Sequence, residues 1–137
     1  MQKLEWTPSM ETGIDVVDRQ HQELVRQVNR LVEAMRAGKG RKMVGEILAF
    51  LGRYAVEHFQ TEEKIMEQGG YPGLDKHRRV HEAFKKDFGK LAAEYERTPA
   101  KLSLTIEVQR RVMEWLRSHI LGMDQEAAAY LRGRAAG

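Results

Sequence analysis

Residues 58–81 of the chain read HFQTEEKIMEQGGYPGLDKHRRVH. The stretch holds two pairs of candidate metal ligands, His58 with Glu62 and His77 with His81, separated by a break rich in glycine and proline. Residues four apart lie on one face of an α-helix, so each pair presents two donors in one direction. Two such helices in antiparallel contact would bring both pairs to one site.

The donor types restrict the metal that this site would bind. Imidazole nitrogen with carboxylate oxygen suits transition metals, whereas calcium and magnesium prefer shells made of oxygen alone. The chain has no cysteine, which excludes disulfides, thiolate metal ligands and cysteine nucleophiles. The residues alone therefore predict a transition-metal site and leave iron, copper, nickel, zinc and manganese open.

Length and composition indicate one soluble domain over residues 1–137, which we expect to be a monomer. Acidic and basic residues are interleaved, with a formal net charge of +3, so no basic stripe predicts a nucleic-acid partner. The amino terminus does not resemble a signal peptide, and no run of about 20 apolar residues is present for a membrane span. We therefore predict a cytoplasmic protein without membrane insertion.

Spacings of three and four between apolar residues predict four amphipathic helices. Asp15 or Asp18 is expected to cap the first helix, which ends in the glycine-rich turn at 37–40. The second closes at the glycine pair 69–70, and Thr98-Pro99 is expected to start the fourth.

Short linkers make consecutive helices antiparallel. The predicted fold is therefore all-α, an antiparallel up-down-up-down four-helix bundle. Residues 1–14 are expected to form an extended N-terminal arm across one end of it, and Gln125 to Arg134 a short C-terminal helical tail.

All five histidines of the chain fall on the apolar stripes of these helices. One buried histidine is commonly a hydrogen-bonded core residue, but five without a common purpose would be costly to bury. In an antiparallel bundle they share one layer at the end that carries the turn between the second and third helices. They are His21, His58, His77, His81 and His119.

Asp124 adds a second carboxylate to the layer, beside Glu62. It follows His119 by five residues, and Gly122 between them is expected to let the helix loosen so that the carboxylate turns inward. Five imidazoles and two carboxylates exceed the needs of one metal. They suit two metals bridged by the carboxylates.

The series His21, His58-x-x-x-Glu62, His77-x-x-x-His81 and His119-x-x-x-x-Asp124 resembles the hemerythrin family, in particular its single-domain bacterial members. The similarity covers about residues 5–130. It implies a non-haem di-iron centre that binds O2 reversibly. In that resemblance His77, His81 and His119 ligate one iron and His21 and His58 the other, which keeps an open position for O2. Glu62 and Asp124 bridge the two irons beside an oxo or hydroxo group.

The resemblance also implies an apolar O2 pocket around the ligands, although the same residues could be plain core. By contrast, Phe84, Phe88 and Tyr95 are expected to extend the core away from the metal layer. The predicted pocket residues are Leu24, Phe59, Trp115, Leu116 and Ile120.

The function predicted on this basis is oxygen storage, transport or delivery inside the cell, with O2 as ligand and an O2-consuming enzyme or redox protein as partner. An O2 or redox sensor is one alternative, and a di-iron oxidase, a peroxidase or a nitric oxide enzyme is another. Oxidation catalysts of the ferritin-like type use more carboxylates and fewer imidazoles, which favours a carrier over an enzyme here.

Overall fold

The computed structural model describes residues 3–38, 41–97 and 102–136. The predicted start signal at Thr98-Pro99 and residues 39–40 of the first glycine-rich turn lie outside this described part. Four long helices are followed, without a break, by a five-residue π-helical segment and a last helix. Their bounds are α1 Asp15–Arg36, α2 Arg41–Gln68, α3 Leu74–Arg97, α4 Leu102–His119, the π segment Ile120–Asp124 and α5 Gln125–Ala136.

Each of the four long helices packs against two of the others. Helix α1 packs against α2 and α4, and α3 packs against α2 and α4. Because each helix lies beside the next one along the chain, with only a short link between them, consecutive helices run antiparallel. The predicted up-down-up-down four-helix bundle is confirmed, and the helical tail is longer than expected.

One end of the bundle, far from the α2–α3 turn, is filled by apolar side chains; we call it the apolar end. Complete burial of one such side chain contributes about 1.5–3 kcal/mol, and this burial holds the helices together there. Buried residues of the apolar end include Leu31, Val44, Ile47, Leu91, Tyr95 and Val108.

None of the helices in the described residues is long and apolar enough to cross a membrane.

The α2–α3 turn owes its shape to the predicted glycine pair. Gly70 has a φ of +66°, a left-handed conformation that glycine adopts without steric cost. The N–H of Gly70 donates to the carbonyl of Glu67 (3.1 Å), and the N–H of Tyr71 donates to that of Met66 (2.9 Å). This Schellman arrangement satisfies carbonyls at the end of α2 and reverses the chain into α3.

The start of α1 differs from the prediction. Its N-cap residue is Ile14, which makes no side-chain cap, and Asp15 and Asp18 lie in the first turn. The Asp18 carboxylate instead accepts hydrogen bonds from the N–H and the hydroxyl of Thr12 (2.8 and 2.7 Å) and from the N–H of Gly13 (3.2 Å). The prediction that Asp15 or Asp18 caps the helix was therefore wrong, and the Asp18 side chain binds the arm that precedes the helix.

The N-terminal arm fastens the first helix to the last. Asn29 of α1 accepts from the N–H of Leu4 (2.8 Å) and donates to its carbonyl (2.9 Å). On α5, the Gln125 amide donates to the carbonyl of Met10 (3.0 Å), and Arg132 donates to the carbonyl of Thr12. The arm thus lies along the bundle as a strap between α1 and α5.

Candidate metal centre

The structure brings all seven predicted ligand residues into one layer near the α2–α3 turn; we call it the donor layer. Each of them is at most 6% exposed. Helix α1 contributes one residue, α2 and α3 contribute two each, and α4 with the π segment contributes the last two. The seven are His21, His58, Glu62, His77, His81, His119 and Asp124.

The donor atoms fall into two groups that share both carboxylates. In each group the atoms lie within 4.8 Å of one another. The first group, which we call the three-imidazole group, contains His77, His81 and His119 with the two carboxylates. The second, the two-imidazole group, contains His21 and His58 with the same two carboxylates.

The three-imidazole group has the spacing of ligands around one metal ion. Nε2 of His119 lies 3.1 Å from Nε2 of His77 and 3.0 Å from Nε2 of His81. Oδ1 of Asp124 lies 3.0 Å from Nε2 of His77 and 3.1 Å from Nε2 of His119. With metal–ligand distances of about 2.1 Å, two ligand atoms at a right angle lie about 3.0 Å apart. The donor atoms of His77, His119 and Asp124 are therefore spaced like one face of an octahedral metal site, and Nε2 of His81 has the spacing of a further ligand beside His119.

The two bridging candidates lie between the groups: Asp124 has one oxygen towards each group, whereas Glu62 lies closer to the two-imidazole group. Oδ2 of Asp124 lies 2.9 Å from Nε2 of His21, whereas its Oδ1 faces the three-imidazole group. Oε1 of Glu62 lies 2.6 Å from Nε2 of His58, and both its oxygens lie 3.9 Å from the three-imidazole group, Oε2 from Nε2 of His77 and Oε1 from Nε2 of His81. This is the arrangement in which one carboxylate can bind two metal ions at once.

The π segment explains how Asp124 reaches the layer. In a regular α-helix, a residue five positions after His119 would point well away from it, because residues four apart share a face. The π-helical turn follows an i to i+5 pattern instead, which places Asp124 beside His119. The loosening expected near Gly122 is thus a defined π-helical turn.

Several buried atoms of the layer lack a hydrogen-bond partner in the described part of the chain. They include Nε2 of His21, Oε1 of Glu62 and Oδ2 of Asp124. Nε2 of His21 and Oδ2 of Asp124 lie only 2.9 Å apart, yet their orientation makes no hydrogen bond. Buried polar atoms without partners are costly, and a cation between these atoms would satisfy them. The residues present therefore fit a bound metal.

Two buried imidazoles of the layer have pKa values shifted in opposite directions. Burial lowers the pKa of His81 to about 2, helped by the neighbouring His119 and His77. Burial would also lower the pKa of His21, but the carboxylates of Asp124 and Glu62 outweigh it and raise that pKa to about 9. Negative charge is thus concentrated beside His21, and neutral imidazole nitrogens are concentrated around His81.

The pKa of Asp124 itself is well below its usual range. Burial alone would raise this pKa, but the imidazoles of His119, His21 and His77 lower it by more. An ionised carboxylate in a buried layer attracts cations and is the form that binds metal.

Two aromatic rings cover the three-imidazole group. Phe59 stacks on the ring of His81 with centroids 3.9 Å apart, and Trp115 stacks on His119 at 4.4 Å. Phe84 in turn stacks on Trp115 at 4.0 Å. These rings fix the orientation of the imidazoles and separate them from solvent.

An apolar cavity of about 20 Å³ lies beside these rings, large enough for one small molecule. Four of the five predicted pocket residues line it, namely Leu24, Phe59, Trp115 and Leu116. Ile120 is buried in the same apolar core but does not line the cavity. Sequence reasoning missed the remaining lining residues, including Phe84 and Phe88, which were expected to lie away from the layer. The remaining lining residues are Val28, Leu51, Ala55, Phe84, Phe88 and Val112.

Two polar residues next to the layer were also missed. The side chain of Gln20 lies 2.7 Å from Nδ1 of His58, and that of Glu63 lies 2.9 Å from Nδ1 of His81. Gln20 directly precedes His21, and Glu63 directly follows Glu62, which was the available signal in the sequence.

Comparisons with known proteins agree with this geometry. Residues 12–131 match the family model for the hemerythrin HHE cation binding domain. Bacteriohemerythrin of Stenotrophomonas maltophilia is 37% identical over 129 residues, which cover 93% of this chain and 81% of that protein. Bacteriohemerythrin of Pseudomonas aeruginosa is 31% identical over 124 residues, covering 90% and 78%. A crystal structure of wild-type hemerythrin matches with a TM-score of 0.83 at 27% identity, covering 95% of this chain and 98% of that one.

Proposed function

Because this chain belongs to the hemerythrin family, we propose that it binds O2 reversibly at a non-haem di-iron centre, for oxygen storage, transport or delivery inside the cell. Its three-imidazole group would hold one iron and its two-imidazole group the other. Glu62 and Asp124 would bridge the two ions.

The observation that carries this proposal is the sharing of two carboxylates by two groups of donor atoms. A single metal would leave one group of buried donors without a partner, at a cost of several kcal/mol for the unpaired polar atoms. Two ions satisfy both groups. The unequal number of imidazoles supports an open position in the two-imidazole group.

The donor set also supports a carrier. When bound, the two ferrous ions supply the two electrons that reversible O2 binding requires. Neutral imidazoles favour the ferrous pair, whereas carboxylate-rich shells favour oxidation catalysis. The low pKa of His81, which burial among other imidazoles causes, keeps that ring neutral and available as a ligand.

The cavity beside the layer supports the same role. Its lining residues carry no ionisable group, so a small apolar molecule such as O2 can enter while charged species are disfavoured. Leu24, one turn after His21 on α1, would limit the access of water to the open position. A dry pocket short of proton donors slows the loss of bound oxygen in a reduced, protonated form.

Metal analysis combined with absorbance spectra under air and under argon tests the proposal. We expect two irons per chain and a visible spectrum that changes reversibly as air replaces argon. A native preparation with one zinc per chain, which takes up no iron on reconstitution, would overturn the proposal. A spectrum that changes once under air and does not return under argon would favour a di-iron oxidase.

A further inference from the structure

The two metal groups differ in what lies behind their imidazoles. In each group, one imidazole has a side-chain acceptor for the ring nitrogen that faces away from the donor layer. For His58 in the two-imidazole group the acceptor is the neutral amide of Gln20 (2.7 Å), and for His81 in the three-imidazole group it is the carboxylate of Glu63 (2.9 Å).

A chain of hydrogen bonds fixes the direction of the Gln20 contact. The Thr61 hydroxyl donates to the carbonyl of Glu57 (3.1 Å), so its oxygen accepts from Nε2 of Gln20 (3.2 Å). The amide oxygen of Gln20 must then face His58 and accept from Nδ1–H. This tautomer leaves Nε2 of His58 with a free lone pair for a metal.

The Glu63 contact is fixed from its other side. Oε2 of Glu63 accepts from Nδ1 of His81, while Oε1 lies 3.4 Å from Nε of Arg78. The Glu63 side chain is only 19% exposed, so water screens its charge incompletely. Arg78 also pairs with Glu67, one turn further along α2, but no contact joins Glu67 to His81 among the residues that the structure describes.

We propose that Glu63 and Gln20 are positioning residues that make the two metal positions unequal, with the carboxylate of Glu63 favouring ferric iron in the three-imidazole group. This inference rests on the proposed di-iron function. A carboxylate that accepts from the outer N–H of a ligand imidazole makes the ring a stronger donor to the metal. A neutral amide orients the ring but adds little negative charge. The three-imidazole group should therefore lose an electron first.

The step involves charge alone. When one electron leaves to a mediator such as ferricyanide, the three-imidazole group gains one positive charge, and no bond at His81 forms or breaks. The proton stays on Nδ1 of His81, held towards Glu63. The carboxylate stabilises the added charge, whereas Gln20 offers its group no equivalent charge.

Spectroelectrochemical titration of the iron-loaded full chain tests this inference. Glu63→Gln keeps the size and an acceptor oxygen but removes the charge. This variant should reduce the preference of the iron in the three-imidazole group for the ferric state by about tenfold. The lower of the two one-electron potentials should then rise by about 59 mV. Glu67→Gln is the matched control, because it removes a carboxylate from the same Arg78 without touching His81, and both potentials should stay at the parent values.

The reciprocal variant Gln20→Glu should lower the upper potential and leave the lower one unchanged. Equal shifts by Glu63→Gln and Glu67→Gln would overturn the inference, as would a Glu63→Gln protein that binds two irons with unchanged potentials. Movement of the same step by Glu63→Gln and Gln20→Glu would also overturn it. These failures are distinct from failure of the proposed function, in which the parent chain itself would lack two irons and an O2-dependent spectrum.

Discussion

The side chains inside the two ends of the bundle are buried to the same degree, but they are apolar at one end and polar or ionisable at the other. At the apolar end, the burial of aliphatic side chains such as Leu31 and Val44 stabilises the folded state. In the donor layer, imidazoles and carboxylates leave water at a cost, and atoms such as Oδ2 of Asp124 find no hydrogen-bond partner. The apolar end should therefore be stable by itself, whereas the donor layer should depend on the proposed metal ions.

Metal removal should produce the largest difference in stability between the two ends. Anaerobic chelation should lower the free energy of unfolding by about 8 kcal/mol, or about 4 kcal/mol for each of the two proposed metal ions, if the free metal had stood at a thousand times each Kd. Hydrogen exchange followed by mass spectrometry should show much faster exchange around His58 and His77 than around Leu31 and Ile47. Protection should return when ferrous iron is added back, and uniform loss of protection at both ends would contradict the comparison.

Substitution of one of the two carboxylates proposed to bridge the metals should have the next largest effect, confined to the donor layer. Asp124→Asn keeps the size but removes a buried negative charge that offsets the charge of the metals and the imidazoles. Breaking such a buried pairing costs about 3–5 kcal/mol. We expect lower iron content by metal analysis and a lower melting temperature, with the same sign for Glu62→Gln.

Asp15→Asn is the control for that pair of variants, since the Asp15 side chain is 84% exposed and its ion pair in the described part of the chain is the surface contact with Arg19. It should keep both irons and the parent melting temperature. Normal iron content in either bridging variant would mean that its carboxylate is not a ligand.

Two leucine truncations on α1 compare the cavity with the apolar end. Leu24 lines the cavity beside the donor layer, and Leu31 lies two turns further, at the apolar end. Replacement of either by Ala should lower stability by about 2–5 kcal/mol. Only Leu24→Ala should speed oxidation of the oxygenated form to the diferric state, followed by absorbance. Equal acceleration in Leu31→Ala would mean that general loosening of the bundle governs that rate.

The smallest expected effect concerns the π segment. Among the described residues, a Cβ on Gly122 would meet no atom within 4 Å beyond its chain neighbours and the backbone of its own helical turns, so Gly122→Ala should be tolerated there. Alanine should stabilise the helical backbone by about 0.5–1 kcal/mol and leave the iron content unchanged. A loss of iron in this variant would show that the placement of Asp124 depends on the freedom of glycine at this position.

The sequence predicted the fold and the donor layer wherever regular helix geometry applies. His58 with Glu62 and His77 with His81 are four residues apart, so a shared face follows from spacing alone. The five-residue step from His119 to Asp124 could be matched to a resemblance, but its backbone could not, because a π-helical turn depends on packing around it.

Other features of the site depend on contacts between helices, which no spacing within one helix reveals. Phe84 and Phe88 line the cavity because α3 packs beside α4 and brings them against Trp115 and Val112. Gln20 and Glu63 meet imidazoles on neighbouring helices. Asp18 had the pattern of a helix cap, yet its carboxylate found nearer donors in the preceding arm.

The strap between α1 and α5 also sets an order of events during synthesis on the ribosome. Leu4 can pair with Asn29 as soon as α1 forms, since only 25 positions separate them. The bond between Met10 and Gln125 spans 115 positions, so about ten seconds of translation pass before it can close. By then the two donors of the final turn, His119 and Asp124, have also been made. The second half of the strap can therefore close only on a chain that already carries all seven proposed metal ligands.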